Sequence, residues 1–273
     1  MPAHLAYEVD GRRIAVTLDD PALARPLAAL YPAYRPSALG RDRSADLSLD
    51  VRSSKQGFLV TDMHGNVQTC TTFGEVLAAF ESVCTEALLH LRADAIPLHA
   101  SGAVVQGRAV LALGGPGAGK SSLAVSWHQA GIPVLGDDVV LLGEDGRCHP
   151  FKRLFGIDAS LLAALGVDPT TTAFWEAGAT EAWYDAGSGP GWADAALVGR
   201  IAVVRYQPGA GLAFEPIPPA ELLNTLVHSQ LITVTDRARG FDRLARIATV
   251  PAYRVTFGSA REAAEAMVSR LTA

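Results

Sequence analysis

The chain has 273 residues, of which 49% are hydrophobic and 19% charged, with a formal net charge of −5 at neutral pH. That length can bury a substantial core, as one large domain or two smaller ones. Acidic and basic residues are interspersed without a basic block, so the composition gives no support to nucleic-acid binding, and no run approaches the roughly 18 apolar residues of a membrane span.

In chain order, Leu5–Val9 and Arg13–Leu18 alternate as short strands around an Asp10-Gly11 turn. A loop rich in Pro, Ala and Arg follows, then strands at Ala45–Val51 and Gly57–Thr61 and a turn at His64-Gly65-Asn66. From Phe73 to Leu91 the apolar residues Val76, Leu77, Phe80, Val83, Leu88 and Leu91 recur at helical spacing. The character changes near residue 93. Residues 1–92 are expected to form a smaller α+β region and 93–273 a larger α/β domain, in which strands alternate with helices. Its expected strands are Gly102–Gln106, Ala109–Gly114, Pro133–Gly136, Val139–Leu142, Leu197–Tyr206 and Val250–Phe257. Helices are expected at Lys120–Ala130, Asp158–Leu165, Pro218–Val227 and Ala260–Leu271, with a loop at His149–Ile157; Ala173–Trp192 shows no assignable pattern. Trp175, Trp183 and Trp192 read as packing residues.

Cys70, Cys84 and Cys148 are odd in number and scattered, unlike a disulfide framework or a paired zinc site, and the seven histidines form no H-x-x-x-H pair. The first ten residues lack a basic stretch followed by an apolar one. Reduced thiols and a cytoplasmic location are the expectation.

Gly114-Gly115-Pro116-Gly117-Ala118-Gly119-Lys120-Ser121 fits G-x-x-x-x-G-K-[ST] at every fixed position, with an apolar strand before it and an amphipathic helix after it. The residue types follow from the task. A loop that wraps a phosphate excludes bulky side chains and needs unusual backbone angles, which glycine allows. Its amides then meet the anion together with the positive end of the following helix. Lys120 is expected to bridge the β and γ phosphates, and the Ser121 hydroxyl to ligate Mg²⁺. Ser122 completes the nucleotide-binding stretch.

Two further features flank this loop. His99 precedes the strand pair that leads into it, and Asp137-Asp138 follow the helix. Adjacent carboxylates beside a P-loop can divide two tasks, one near the metal and one receiving the proton of the attacking hydroxyl.

Together, His99, Gly114–Ser121, Gly131 and Gly136-Asp137-Asp138 resemble the catalytic domain of the HPr kinase/phosphorylase family over about forty residues. The resemblance implies a phosphoenolpyruvate carboxykinase-like α/β core with much mixed sheet, ATP and Mg²⁺ as cofactors, and members that often assemble as homo-oligomers. It also implies Asp137 as general base, Asp138 in the Mg²⁺ network, and His99 beside the transferred phosphate. Two departures stand out: Ser122 occupies a position that is acidic in the family, and His149–Gly156 stands where the family's Arg-Gly-Leu-Gly-Ile-Ile-Asn-Val run would lie. The chain is similar to the divergent HPr-kinase-like proteins, some of which phosphorylate a serine of a lasso-peptide precursor. The acceptor expected is therefore a serine on a peptide or small protein; a small-molecule kinase and a non-catalytic ATP-sensing regulator are the alternatives. Lys152 and Arg153 either close over the phosphates or the acidic end of a substrate, or form a solvated basic turn. Residues 1–92 would recognise a peptide by strand addition to a sheet edge.

Overall fold

A computed structural model describes residues 2–34, 44–92, 94–168, 172–174, 181–187, 191–231 and 237–272. It is a mixed α/β structure in two compact units, residues 1–93 with 177–181 and residues 94–176 with 182–273. No described helix is long and apolar enough to cross a membrane.

The first unit is a five-stranded sheet covered by helices. Strands β1 (Ala3–Val9) and β2 (Arg12–Leu18) form the expected hairpin, with Asp10 and Gly11 both at positive φ. Helix α1 (Ala24–Leu30) carries the chain to β3 (Leu47–Ser54), which pairs parallel to β2; β4 (Gly57–Thr61) and β5 (Val67–Cys70) then add in antiparallel fashion. A parallel pair needs a crossover, and α1 supplies it, although Pro26 and flanking prolines make this stretch read as loop. Helix α2 (Phe73–Leu91) packs on the sheet and matches the predicted span. Thr72 and Glu75 close a capping box at its start: Thr72 Oγ1 accepts from the Glu75 amide while Glu75 accepts from the Thr72 amide. Tyr7, buried on β1, donates to the Leu27 carbonyl, and Tyr31 donates to the Glu81 carbonyl, so α1 is tied to both sheet and α2.

The second unit is built on an eight-stranded mixed sheet. In chain order its elements are β6 (Ile96–Val105), β7 (Arg108–Leu113), α3 (Lys120–Gln129), β8 (Val134–Gly136), β9 (Val139–Leu142), β10 (Arg147–Pro150) and β11 (Phe155–Asp158). They continue with β12 (Thr172–Phe174), β13 (Glu181–Tyr184), β14 (Ala196–Tyr206), β15 (Ala213–Pro216), α4 (Pro219–His228), α5 (Arg237–Ile247), β16 (Ala252–Phe257) and α6 (Ala260–Thr272). The main sheet runs β10-β9-β6-β7-β14-β16-β15, with β8 also on β6, and β11-β13-β12 form a separate small sheet. β7, β14 and β16 are mutually parallel, whereas β6 and β15 are antiparallel to their neighbours.

Strand β7 is buried along Ala109–Leu113, as expected of a central strand with both faces covered. Helix α3 packs on α6 on one side and on β11 on the other. Trp127 is fully buried between these layers, and its indole donates to the Ala264 carbonyl.

The structure corrects several expectations in this unit. His149–Ile157 contains parts of two strands, β10 and β11, rather than one loop. Asp158–Leu165 holds a single 3-10 turn at Ala159–Leu161, which Asp158 caps by accepting from the Ser160 amide and hydroxyl. Helix α5 was not anticipated. Trp183 is buried and Trp192 packs edge-on against Phe155, whereas Trp175 lies outside the described residues.

Candidate nucleotide and phosphoryl-transfer site

The strand register fixes where the predicted residues meet. Leu113, the last residue of β7, pairs with Ala100 of β6, so His99 stands one residue beyond, beside the mouth of the P-loop. Strands β8 and β9 both run antiparallel to β6 and are interrupted at Asp137-Asp138, where the Asp138 carbonyl accepts from the Ala100 amide. Both carboxylates lie within 4.0 Å of one Arg153 guanidinium nitrogen, but the Asp137 side chain is 3% exposed and that of Asp138 39%. Gly136 is required here, because a Cβ would meet the Val139 carbonyl oxygen at 2.2 Å.

Asp138 faces the cavity. Its Oδ1 lies 2.7 Å from His99 Nε2 and 3.8 Å from Lys120 Nζ, and its Oδ2 lies 4.0 Å from an Arg153 guanidinium nitrogen. Burial pushes this carboxyl up, but the His99 hydrogen bond and the charges of His99, Arg153 and Lys120 outweigh it, and the group sits below its ordinary value of 3.8. It is therefore ionised at neutral pH.

Asp137 is 2% exposed and lies outside the cavity wall, with its Oδ1 at 3.3 Å from Arg153. Arg153, 6% exposed, also donates to the Leu154 carbonyl. Lys152 is half-buried and does not line the cavity. Neither cation of this pair forms a solvated basic turn.

Lys120 is the first residue of α3 and only 5% exposed. Its ammonium donates to the carbonyls of Gly114 (2.9 Å) and Gly115 (3.2 Å). Burial pulls its pKa below the usual lysine value, and the nearby Asp138 and Asp137 only partly restore it. A cation held at such cost, with its carboxylate partner at 3.8 Å, is poised for an anionic ligand.

The loop itself has the form of a cradle. Gly119 caps α3 at φ +92 and offers no side chain to the first-turn amides, which leaves them to a ligand. A Cβ on Gly115 or Gly117 would meet nothing within 4 Å, and Gly117 stands at φ +73. At Gly119 the opposite holds, since a Cβ there would lie 2.7 Å from Phe257 Cζ. Gly119→Ala should therefore lower stability by about 2 kcal/mol or more, from the left-handed backbone and the clash together, and shift the N-terminus of α3. A thermal melt checks the first effect and nucleotide affinity the second.

These residues enclose one cavity of about 510 Å³, lined by His99, Pro116–Ser122 and Asp138, with Gly156, Ile157, Asp158, Leu161, Ala164, Leu165, Tyr206 and Ala260 completing the wall. That volume falls in the ~300–1,000 Å³ range of small-molecule sites. The sequence had no pattern that pointed to Tyr206 or to the apolar stretch from Ile157 to Leu165. Arg200, Arg205 and Arg254 are absent from the wall; Arg254 instead pairs with Glu215 and Glu221.

Ser121 and Asp138 supply oxygen donors, which suit Mg²⁺. Among the described residues no group of three or more His, Cys, Asp or Glu side chains could hold a metal. Mg²⁺ commonly binds through one or two protein oxygens plus substrate phosphates, and this donor set fits that mode. Cys70, Cys84 and Cys148 are buried, and burial raises all three thiols, Cys148 to about 12, so none is a nucleophile at neutral pH.

No protein-family model matches the chain, and no curated protein matches it.

Proposed function

We propose that the chain is an ATP- and Mg²⁺-dependent kinase that transfers the γ-phosphoryl group to a hydroxyl, with serine on a peptide or small protein as the acceptor. The observation that carries this reading is the convergence, around one cavity, of the P-loop, the buried Lys120 and the ionised Asp138 paired with His99. The mixed order of the main sheet agrees with the HPr kinase-like core that the motif resemblance implies.

In this scheme the P-loop amides and Lys120 hold the triphosphate, and Lys120 offsets negative charge that builds on the transferred group. Mg²⁺ would be held by Ser121 with the phosphate oxygens and not by Asp138, and would supply further charge stabilisation. Asp138, rather than Asp137, receives the acceptor proton, because it is the carboxylate that reaches the cavity. His99 fixes its orientation through the 2.7 Å contact. Asp137 keeps Arg153 in place behind it. Phosphoryl transfer asks for positioning and charge more than for a strong base, so a carboxylate of lowered pKa suffices.

The His99 contact has a pH signature. A depressed carboxyl stays ionised above its folded pKa, and a function that needs the anion is lost only as pH falls through that value. His99→Ala removes the largest lowering influence, so the acid limb of the rate profile should move to higher pH, towards or above the ordinary carboxylate range. A profile that falls in height with its acid limb unmoved would show that His99 acts on something other than Asp138.

Incubation with Mg²⁺, γ-labelled ATP and a serine-containing peptide library tests the whole reading. Label on serine is the expected result. ATP that binds but is never consumed with any peptide or metabolite hydroxyl would favour a nucleotide-sensing regulator.

A further inference from the structure

On the reading of the P-loop as a triphosphate cradle, we infer that the nucleobase stacks on the exposed ring of Tyr206, on the flank of the loop opposite the carboxylates, and that the site separates one base from another only weakly. The strand order carries the argument. β7, which ends in the P-loop, lies between β6 and β14. His99 on β6 and Asp138 beside β9 stand on one flank; Tyr206, the last residue of β14, and Ala260, at the start of α6 after β16, stand on the other.

Lys120 lies 3.8 Å from Asp138, so the terminal phosphate belongs on the carboxylate flank. The other end of a bound triphosphate must then leave the loop towards β14 and β16. There the Tyr206 amide donates to the Ala118 carbonyl at 3.1 Å, which fixes the residue to the P-loop itself. Tyr206 is 41% exposed and lines the cavity, and its ring packs tilted at 55° against the buried ring of Phe257 at 5.9 Å between centroids. An aromatic ring held by a second ring and exposed to a cavity can serve as a stacking platform, and stacking accepts any base because every base has a π-face.

The wall on this flank has few means to read a base edge. Among the described residues of this part of the wall, Tyr206 contributes one hydroxyl and Ala260 only a methyl group; Gln207, next along the chain, is exposed but does not line the cavity. The second apolar stretch, Ile157, Leu161, Ala164 and Leu165, begins four residues after Arg153, which sits on Asp137 and Asp138. In this inference that stretch is left to the acceptor.

The test compares dissociation constants of the full chain for ATP, GTP and inorganic tripolyphosphate, in the presence of Mg²⁺. For the wild type, ATP and GTP should agree within about tenfold. Tyr206→Ala should weaken both nucleotides by about ten- to a hundredfold, the span of a lost base–aromatic stack, while tripolyphosphate affinity stays within about twofold. Tyr206→Phe should keep wild-type affinity for all three. The tripolyphosphate arm also shows that the variant is folded. Unchanged ATP affinity in Tyr206→Ala would overturn the inference, as would a selective loss of ATP in Ala164→Trp, which would put the base on the second apolar stretch. Failure of the wild type to bind tripolyphosphate and ATP alike would remove the cradle reading itself, and this inference with it.

Discussion

Replacing Lys120 by methionine is expected to cut phosphoryl transfer by a factor on the order of 10³ and to weaken nucleotide binding, with little or no loss of thermal stability. The two halves of this outcome have one cause. The Lys120 side chain is 5% exposed, its pKa is lowered by burial, and its ammonium is bonded to two loop carbonyls. In the free protein its replacement by an apolar side chain of similar length leaves no buried charge unpaired, because Asp138 is 39% exposed and keeps its His99 contact. With a triphosphate present the ammonium becomes the buried cation that meets the anion, and losing one such stabilising group typically costs ~10²–10³ in rate. A variant that melts early and binds normally would reverse the assignment and make Lys120 a structural residue.

The second large effect separates the two aspartates. Asp138→Asn should lower turnover by about 10²–10⁴-fold, the usual worth of a positioned base, with ATP affinity within a few-fold of wild type. Asp137→Asn should act on the fold. It would take the carboxylate at 3.3 Å from Arg153, which is 6% exposed and keeps Asp138 at 4.0 Å, so the loss should reach up to about 3 kcal/mol, the lower end for breaking a buried pair from one side. Melting temperature and turnover of the two variants, measured in parallel, distinguish these roles. An Asp137→Asn protein of normal stability but no activity would return the base to Asp137.

That assignment shows what the sequence could and could not disclose. The P-loop pattern was legible because its fixed positions answer to local demands: close packing against Val204 at Gly114, an αL backbone at Gly119, a cation at Lys120 and a hydroxyl at Ser121. The strand and helix on either side were legible from apolar runs for the same local reason. The difference in burial between Asp137 and Asp138, on which the proposed choice of base rests, was not, because it depends on the break between β8 and β9 and on Arg153 arriving from a segment that looked like an open basic loop. Arg153 is buried by a tertiary pairing that no spacing announces. Tyr206 was hidden in an ordinary strand; only the order of β7, β14 and β16 brings it to the cavity.

Helix α5 escaped for a related reason. Its residues are mostly arginine, glycine and small or polar side chains, and its buried stripe is short, with Leu244 and Ile247 the main apolar contributors. What holds it includes Arg243, which donates to the Asp94 carbonyl at 2.7 Å and to Glu144 at 2.8 Å. Those are long-range contacts, beyond the reach of a helical periodicity. In the first unit, by contrast, α2 could be delimited to the residue, since a capping threonine, an N3 glutamate and a regular apolar stripe all agree.

Hydrogen exchange of the backbone amides between Gly115 and Ser122, with and without Mg²⁺ and ATP, tests the central claim most directly. Marked slowing confined to this stretch and the first turn of α3, and absent in Lys120→Met, is the result predicted for amides that close on a triphosphate. Exchange that is identical with and without nucleotide at saturating concentration would contradict it.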